Sequence, residues 1–136
     1  MPITRLSGRQ EVIAATADFL FSSLASGTYE AAINIPAGAI VTSGGLSITT
    51  AFNSGTSDTF AIGDREGIAA AVGNTYAVAA ARAAGGSNPI VPNGKKYNLP
   101  ATVGVLWTGV GAAPTTGVGR LTVHYIVDGR AAFSQG

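Results

Sequence analysis

Turn-forming residues interrupt this sequence about every ten residues, and the runs between them are short and either apolar or alternating. That punctuation leaves room for short strands and little room for helices. Residues 10–17 make the first run, and residues 19–24 follow as a second piece that is too short and too aromatic for a helix. A turn at 25–28 leads to a strand over 29–35. Pro36-Ala37-Gly38 stops it, because proline cannot donate to a ladder, and residues 40–43 resume it. Gly44-Gly45 reads as a bulge or a tight turn.

From Leu46 to Phe52 the alternation is clean: Leu46, Ile48, Thr50 and Phe52 share one face, while Ser47, Thr49 and Ala51 share the other. The polar stretch 53–58 is expected to turn this strand into a return strand over 59–62, ended by Gly63-Asp64, so that 46–62 forms an antiparallel hairpin. Residues 65–84 are rich in alanine, and one short helical turn is expected there. Residues 96–99 read as a short edge strand stopped by Pro100, and 101–108 as a further strand. The glycine-rich segment 109–119 delivers the chain into a last strand over 120–127, with Leu121, Val123, Tyr125 and Val127 on one face. About seven to nine short strands without helix alternation favour an all-β antiparallel β-sandwich or jelly roll. No linker divides the chain, so a single domain over 1–136 with irregular N- and C-terminal arms is expected.

Composition excludes several functions. Only 11% of the residues are charged and the net charge is +1, so there is no electrostatic footprint for nucleic acid or an anionic membrane. No apolar run approaches the roughly 20 residues that span a bilayer as a helix. The chain has no cysteine, which removes disulfides, cysteine zinc sites and thiol nucleophiles together. Glu11 and Asp18 interrupt the apolar stretch 12–24, which therefore does not read as a secretory signal; the chain is expected to stay in the cell that makes it.

The inventory of chemical groups is equally spare. His124, the only histidine, lies on the polar face of the last strand, and no Gly-x-Ser-x-Gly elbow is present. Asp58, Asp64 and Glu66 cluster at the expected hairpin end, where acids cap turns and stay solvated. Asn53, Ser57 and Asp58 lack the spacing of a calcium loop, and Gly109-Val110-Gly111 is not a dinucleotide fingerprint. Trp107, Tyr97 and Tyr125 read as core or interface residues before they read as a sugar platform. No enzyme and no cofactor or metal is expected. A surface so poor in charge suits burial against other protein, which makes an assembly role the reading that composition favours.

Two segments carry a resemblance. The run Ile35-Pro36-Ala37-Gly38-Ala39-Ile40-Val41, followed by Leu46-Ser47-Ile48-Thr49-Thr50-Ala51-Phe52-Asn53-Ser54-Gly55-Thr56-Ser57-Asp58-Thr59 and Ile62-Gly63-Asp64, resembles small virion proteins of tailed bacteriophages. The ending from Gly119-Arg120-Leu121 through Tyr125 to Asp128-Gly129-Arg130 is similar to theirs as well. The resemblance is to jelly-roll capsid cement, or decoration, proteins, and covers about half of the chain. It implies a virion protein, made in the host cytoplasm, that sits on the outer capsid surface, bridges neighbouring major capsid protein subunits and associates with itself, a dimer being favoured. Arg5, Arg9, Phe19, Phe21, Arg130 and Phe133 are the expected capsid or subunit contacts. The alternatives are another phage structural part, such as a head fibre base or tail component, or a carbohydrate-binding module using Trp107 and Tyr97.

Overall fold

A computed structural model of the chain describes residues 11–81 and 87–128. Eight strands run in the order β1 (Val12–Leu20), β2 (Thr28–Ile35), β3 (Ala39–Thr50), β4 (Ser57–Glu66), β5 (Val72–Ala81), β6 (Ser87–Pro89), β7 (Ala101–Val110) and β8 (Val118–Val127), with one 3-10 turn at Phe21–Ser23. They form two four-stranded antiparallel sheets, in the orders β1-β8-β3-β6 and β2-β7-β4-β5. This is the jelly-roll arrangement: apart from the β4–β5 pair, each connection between consecutive strands carries the chain from one sheet to the other.

Period-two alternation builds the core between the sheets. Leu46 and Ile48 of β3 and Leu121 and Val123 of β8 face Ile33 and Ile35 of β2, Phe60 and Ile62 of β4, and Val103 and Val105 of β7, all buried. Phe52, just past β3, gathers the aromatics. Its ring lies 5.0 Å from Phe60 in an edge-to-face pair, 5.8 Å from Trp107 and 6.3 Å from Phe19.

Five expectations are corrected. The 46–62 unit is not a hairpin, because β3 and β4 lie in different sheets and the turn between them crosses the sandwich. Both edges of β3 are taken by β8 and β6, and both edges of β4 by β7 and β5, so neither has an edge left for the other. The described residues of the stretch 65–84 hold no helical turn: β5 runs through most of them, with Ala80 paired to Phe60, Ala77 to Ile62 and Tyr76 buried. Ladder pairing and burial of a tyrosine outweigh alanine's helix preference. The return strand does not end at Gly63-Asp64 but continues to Glu66. Lys96 makes only a single bridge, to Ile40, in place of an edge strand over 96–99. The piece 19–24 divides between the end of β1 and the 3-10 turn.

Candidate interaction surfaces

Asp64 departs furthest from the expected solvated acid. It follows Phe60 and Ile62 on the inward face of β4, and its side chain is 2% exposed. Burial is tolerated because its oxygens are filled: Thr75 Oγ1 donates to Oδ1, while Tyr97 Oη, at 2.5 Å, and Lys95 Nζ, at 3.2 Å, donate to Oδ2. Tyr97 gives its proton to Asp64, so Tyr76 is the donor in the 2.5 Å contact between the two phenols. Lys95 Nζ also lies 4.8 Å from the Tyr97 ring centre and 3.9 Å from Glu66 Oε1. The cluster ties residues 95–97 to β4 and β5.

Both phenols are hard to ionise. Burial, followed by the hydrogen bond to Asp64, raises Tyr97 well above the ordinary range, and burial pushes Tyr76 from 10.0 up to about 12. Between these two pH values an unfolded chain has already released the Tyr76 proton while the folded one retains it, so stability falls as pH rises. The thermal midpoint is therefore expected to lose ground from pH 10 to 12, with a shallower loss in Tyr76→Phe. A Tyr76→Phe curve parallel to that of the parent protein would remove this account.

The neighbouring end of the second sheet carries a braced apolar tip. Glu66 Oε2 accepts the amides of Asn98 and Leu99 at 2.6 and 3.2 Å, Gly67 N donates to Pro100 O at 2.9 Å, and Arg65 Nε donates to Ala69 O at 2.9 Å. Gly67 turns the chain here with φ +58°. These bonds fix a tip on which Ile68 is 95% exposed, with Val72 and Leu99 about half exposed.

At the other end of the same sheet lies a cleft of about 420 Å³, walled by Phe21, Leu24, Trp107, Ala112, Ala113 and Pro114 with the hydroxyls of Ser26 and Ser54 at its edge. Asp58 stands behind that wall. Its Oδ1 accepts Trp107 Nε1 at 2.8 Å and Ser54 Oγ at 2.6 Å, and its Oδ2 accepts Ser54 N at 3.0 Å. Asn53 Oδ1 accepts the amides of Thr115 and Thr116. The oxygens of the 53–58 segment are thus used to join two loops. Trp107, Tyr97 and Tyr125 are all buried, so they present no stacking platform.

The outward face of the first sheet is polar along most of its length. His124 Nδ1 lies 3.0 Å from Ser43 Oγ, and neither residue lines the cleft. Arg120 Nε meets Asp18 Oδ1 at 2.7 Å, which holds the Asp18 carboxyl below its ordinary value. At one end of this face, Val12, Ile126 and Ile40 sit in cross-strand register.

Of the residues expected to make contacts, Phe19 is 8% exposed and packs in the core against Phe52. The alternation Ile13, Ala15, Ala17, Phe19 along β1 is the signal for that inward direction. Phe21 is half-buried on the 3-10 turn and lines the cleft. Arg5, Arg9, Arg130 and Phe133 lie outside the described residues. Ile68 and Lys95 are not singled out by the sequence, and Asp64 reads there only as a solvated turn acid. Among the described residues, no three His, Cys, Asp or Glu side chains gather as a metal site.

No protein-family model matches the chain, and no curated protein matches it. Similar solved structures were found. A chain in the capsid of Ralstonia phage GP4 is 23% identical with a TM-score of 0.64, covering 98% of this chain and 91% of that one. A chain in the cyanophage Pam1 capsid asymmetric unit is 18% identical with a TM-score of 0.64, covering 93% and 92%. A chain in the acidic stable capsid structure of Helicobacter pylori bacteriophage KHP30 is 15% identical with a TM-score of 0.63, covering 85% and 87%. At these identities the likeness is one of fold.

Proposed function

We propose that this chain is a non-enzymatic structural protein of a bacteriophage particle, a single β-sandwich domain that binds the outer capsid surface and bridges neighbouring major capsid protein subunits. The observation that carries the reading is the fold shared, over nearly the whole chain, with chains in three phage capsid structures. A surface with few charges is in keeping with it. The mechanism is mass action: a protein that binds only the assembled lattice stabilises it by RT ln(1 + [L]/Kd) per site, and bridging adds avidity.

Co-sedimentation with capsids that lack the protein tests this. Saturable binding and a raised capsid melting temperature are expected, and absence of binding overturns the proposal. Val12 pairs with Ile126, so the described chain enters β1 and leaves β8 at the same end of the first sheet, beside the apolar Val12, Ile40 and Ile126. Deleting residues 130–136, which include Arg130 and Phe133, is expected to weaken capsid attachment at least about tenfold while shifting the protein's own melting temperature little. Unchanged capsid occupancy would dismiss the arm as a contact.

A further inference from the structure

We infer that Asn93 is a site of intramolecular deamidation, at which the folded chain turns an asparagine into aspartate and isoaspartate without an enzyme. This goes beyond the capsid reading and does not depend on it. Asn93-Gly94 is the one asparagine–glycine pair in the sequence, and glycine leaves its amide nitrogen uncovered because it has no side chain. Both residues are exposed, in the loop between β6 and the Lys96 bridge. Gly94 turns the chain with φ +74°, has open space where a Cβ would stand, and its N–H donates to no group among the described residues. Lys95 N donates to Asn93 Oδ1 at 2.9 Å. That bond closes a ring that contains the Gly94 nitrogen, and it draws electrons away from Cγ, the atom to be attacked.

Solvent base takes the Gly94 N–H proton, the nitrogen bonds to Cγ, and the Cγ–Nδ2 bond breaks as Nδ2 picks up a proton and leaves as ammonia. One water then opens the succinimide. Attack at Cγ gives aspartate; attack at the main-chain carbonyl carbon gives isoaspartate, whose backbone runs through Cβ and Cγ. The fold withholds this chemistry from the other asparagines. In Asn53-Ser54, Asn53 Oδ1 accepts the amides of Thr115 and Thr116, its Nδ2 donates to Thr115 Oγ1, and Ser54 N, the nucleophile required, donates to Asp58 Oδ2 at 3.0 Å. Leu99 N, which follows Asn98, is held by Glu66 Oε2. Asn34 and Asn74 lie within β2 and β5 ahead of the β-branched Ile35 and Thr75, and Asn88 precedes Pro89, which has no N–H.

The reaction adds a carboxylate, so the net charge of the chain falls from +1 to zero, where charge no longer keeps copies apart. Tyr97 remains held by main-chain bonds to Gly38 and Ala39, so the sandwich is expected to survive the change. Peptide mass mapping of the full chain, incubated at mildly alkaline pH both folded and in denaturant, tests the inference. The loss of ammonia and gain of water is read from the mass of the peptide that holds Asn93, and methylation by an isoaspartyl methyltransferase marks the isoaspartate product. Asn93 is expected to convert in the folded chain at a rate close to that in denaturant. Folding is expected to slow Asn53 at least about tenfold, because several hydrogen bonds must break before Cγ and Ser54 N can meet. Gly94→Ala crowds the nucleophile at an exposed position and is expected to slow conversion of Asn93 at least about tenfold. An Asn93 that folding protects as strongly as Asn53, or a Gly94→Ala chain that converts at the parent's rate, overturns the inference.

Discussion

Asp64→Ala is expected to lower stability by about 3–5 kcal/mol, a large part of the roughly 5–15 kcal/mol that holds a domain folded. The substitution leaves Tyr97 and Thr75 hydroxyls without their acceptor inside the sandwich, at about 1–3 kcal/mol for each unsatisfied group, and opens a void beside Ile62 and Val103. The melting temperature should fall by roughly 10–20 °C. Lys95→Ala is the contrast. Its side chain is 40% exposed, so water takes the place of the ammonium while Asp64 keeps the Tyr97 and Thr75 hydroxyls, and that variant should lose no more than about 1 kcal/mol. An Asp64→Ala protein melting within a few degrees of the parent would show that the cluster is incidental to the fold.

Gly44→Ala is expected to be comparably damaging, although it adds one methyl group at a partly exposed position. Gly44 sits in the middle of β3 with φ +135°, just after the register slips between Val41 and Ser43. A Cβ there would overlap the Thr122 carbonyl of β8 and stand 3.0 Å from Val123 Cα, both backbone atoms that cannot swing aside. The disfavoured φ contributes about 1–3 kcal/mol and the forced separation of the two strands about 1–3 kcal/mol more. Circular dichroism melting of Gly44→Ala beside Gly45→Ala, whose φ is ordinary, checks this. If the first is no less stable than the second, the bulge does not need its glycine.

The sequence made visible whatever depends on period two. Leu46, Ile48 and Phe52, and Leu121, Val123 and Tyr125, are buried as their alternation requires, because a half-buried strand writes its inward face into every second residue. Gly44-Gly45 reads as a bulge or tight turn for a similar local reason, but the register slips just before it, at Thr42, and both glycines stay in register with β8. What lay hidden depends on partners distant in the chain. Gly63-Asp64 reads as a turn until Tyr97, more than thirty residues on, supplies the donor that lets the acid stay inside. The alanines of β5 read as helical until β4 is placed beside them. For the same reason the apolar tip at Ile68 passed as part of a helical stretch, and the cleft, assembled from three separate segments, left no mark in any one of them.

The pairing scheme also sets the order in which the fold can be completed. Among the described residues, only β4 with β5 of the six strand pairs joins neighbours in sequence, and β1 has β8 as its sole partner, with Val12 opposite Ile126. Loop-closure entropy for such distant pairs must be met before their contacts give any return, which places this topology among the slow, millisecond-to-second folders. During synthesis β1 emerges first and waits, its edges unpaired, until the residues of β8 have left the ribosome. The first sheet therefore closes last, when β8 joins β1 to the β3–β6 pair, and chains arrested before residue 118 present an open strand edge to one another.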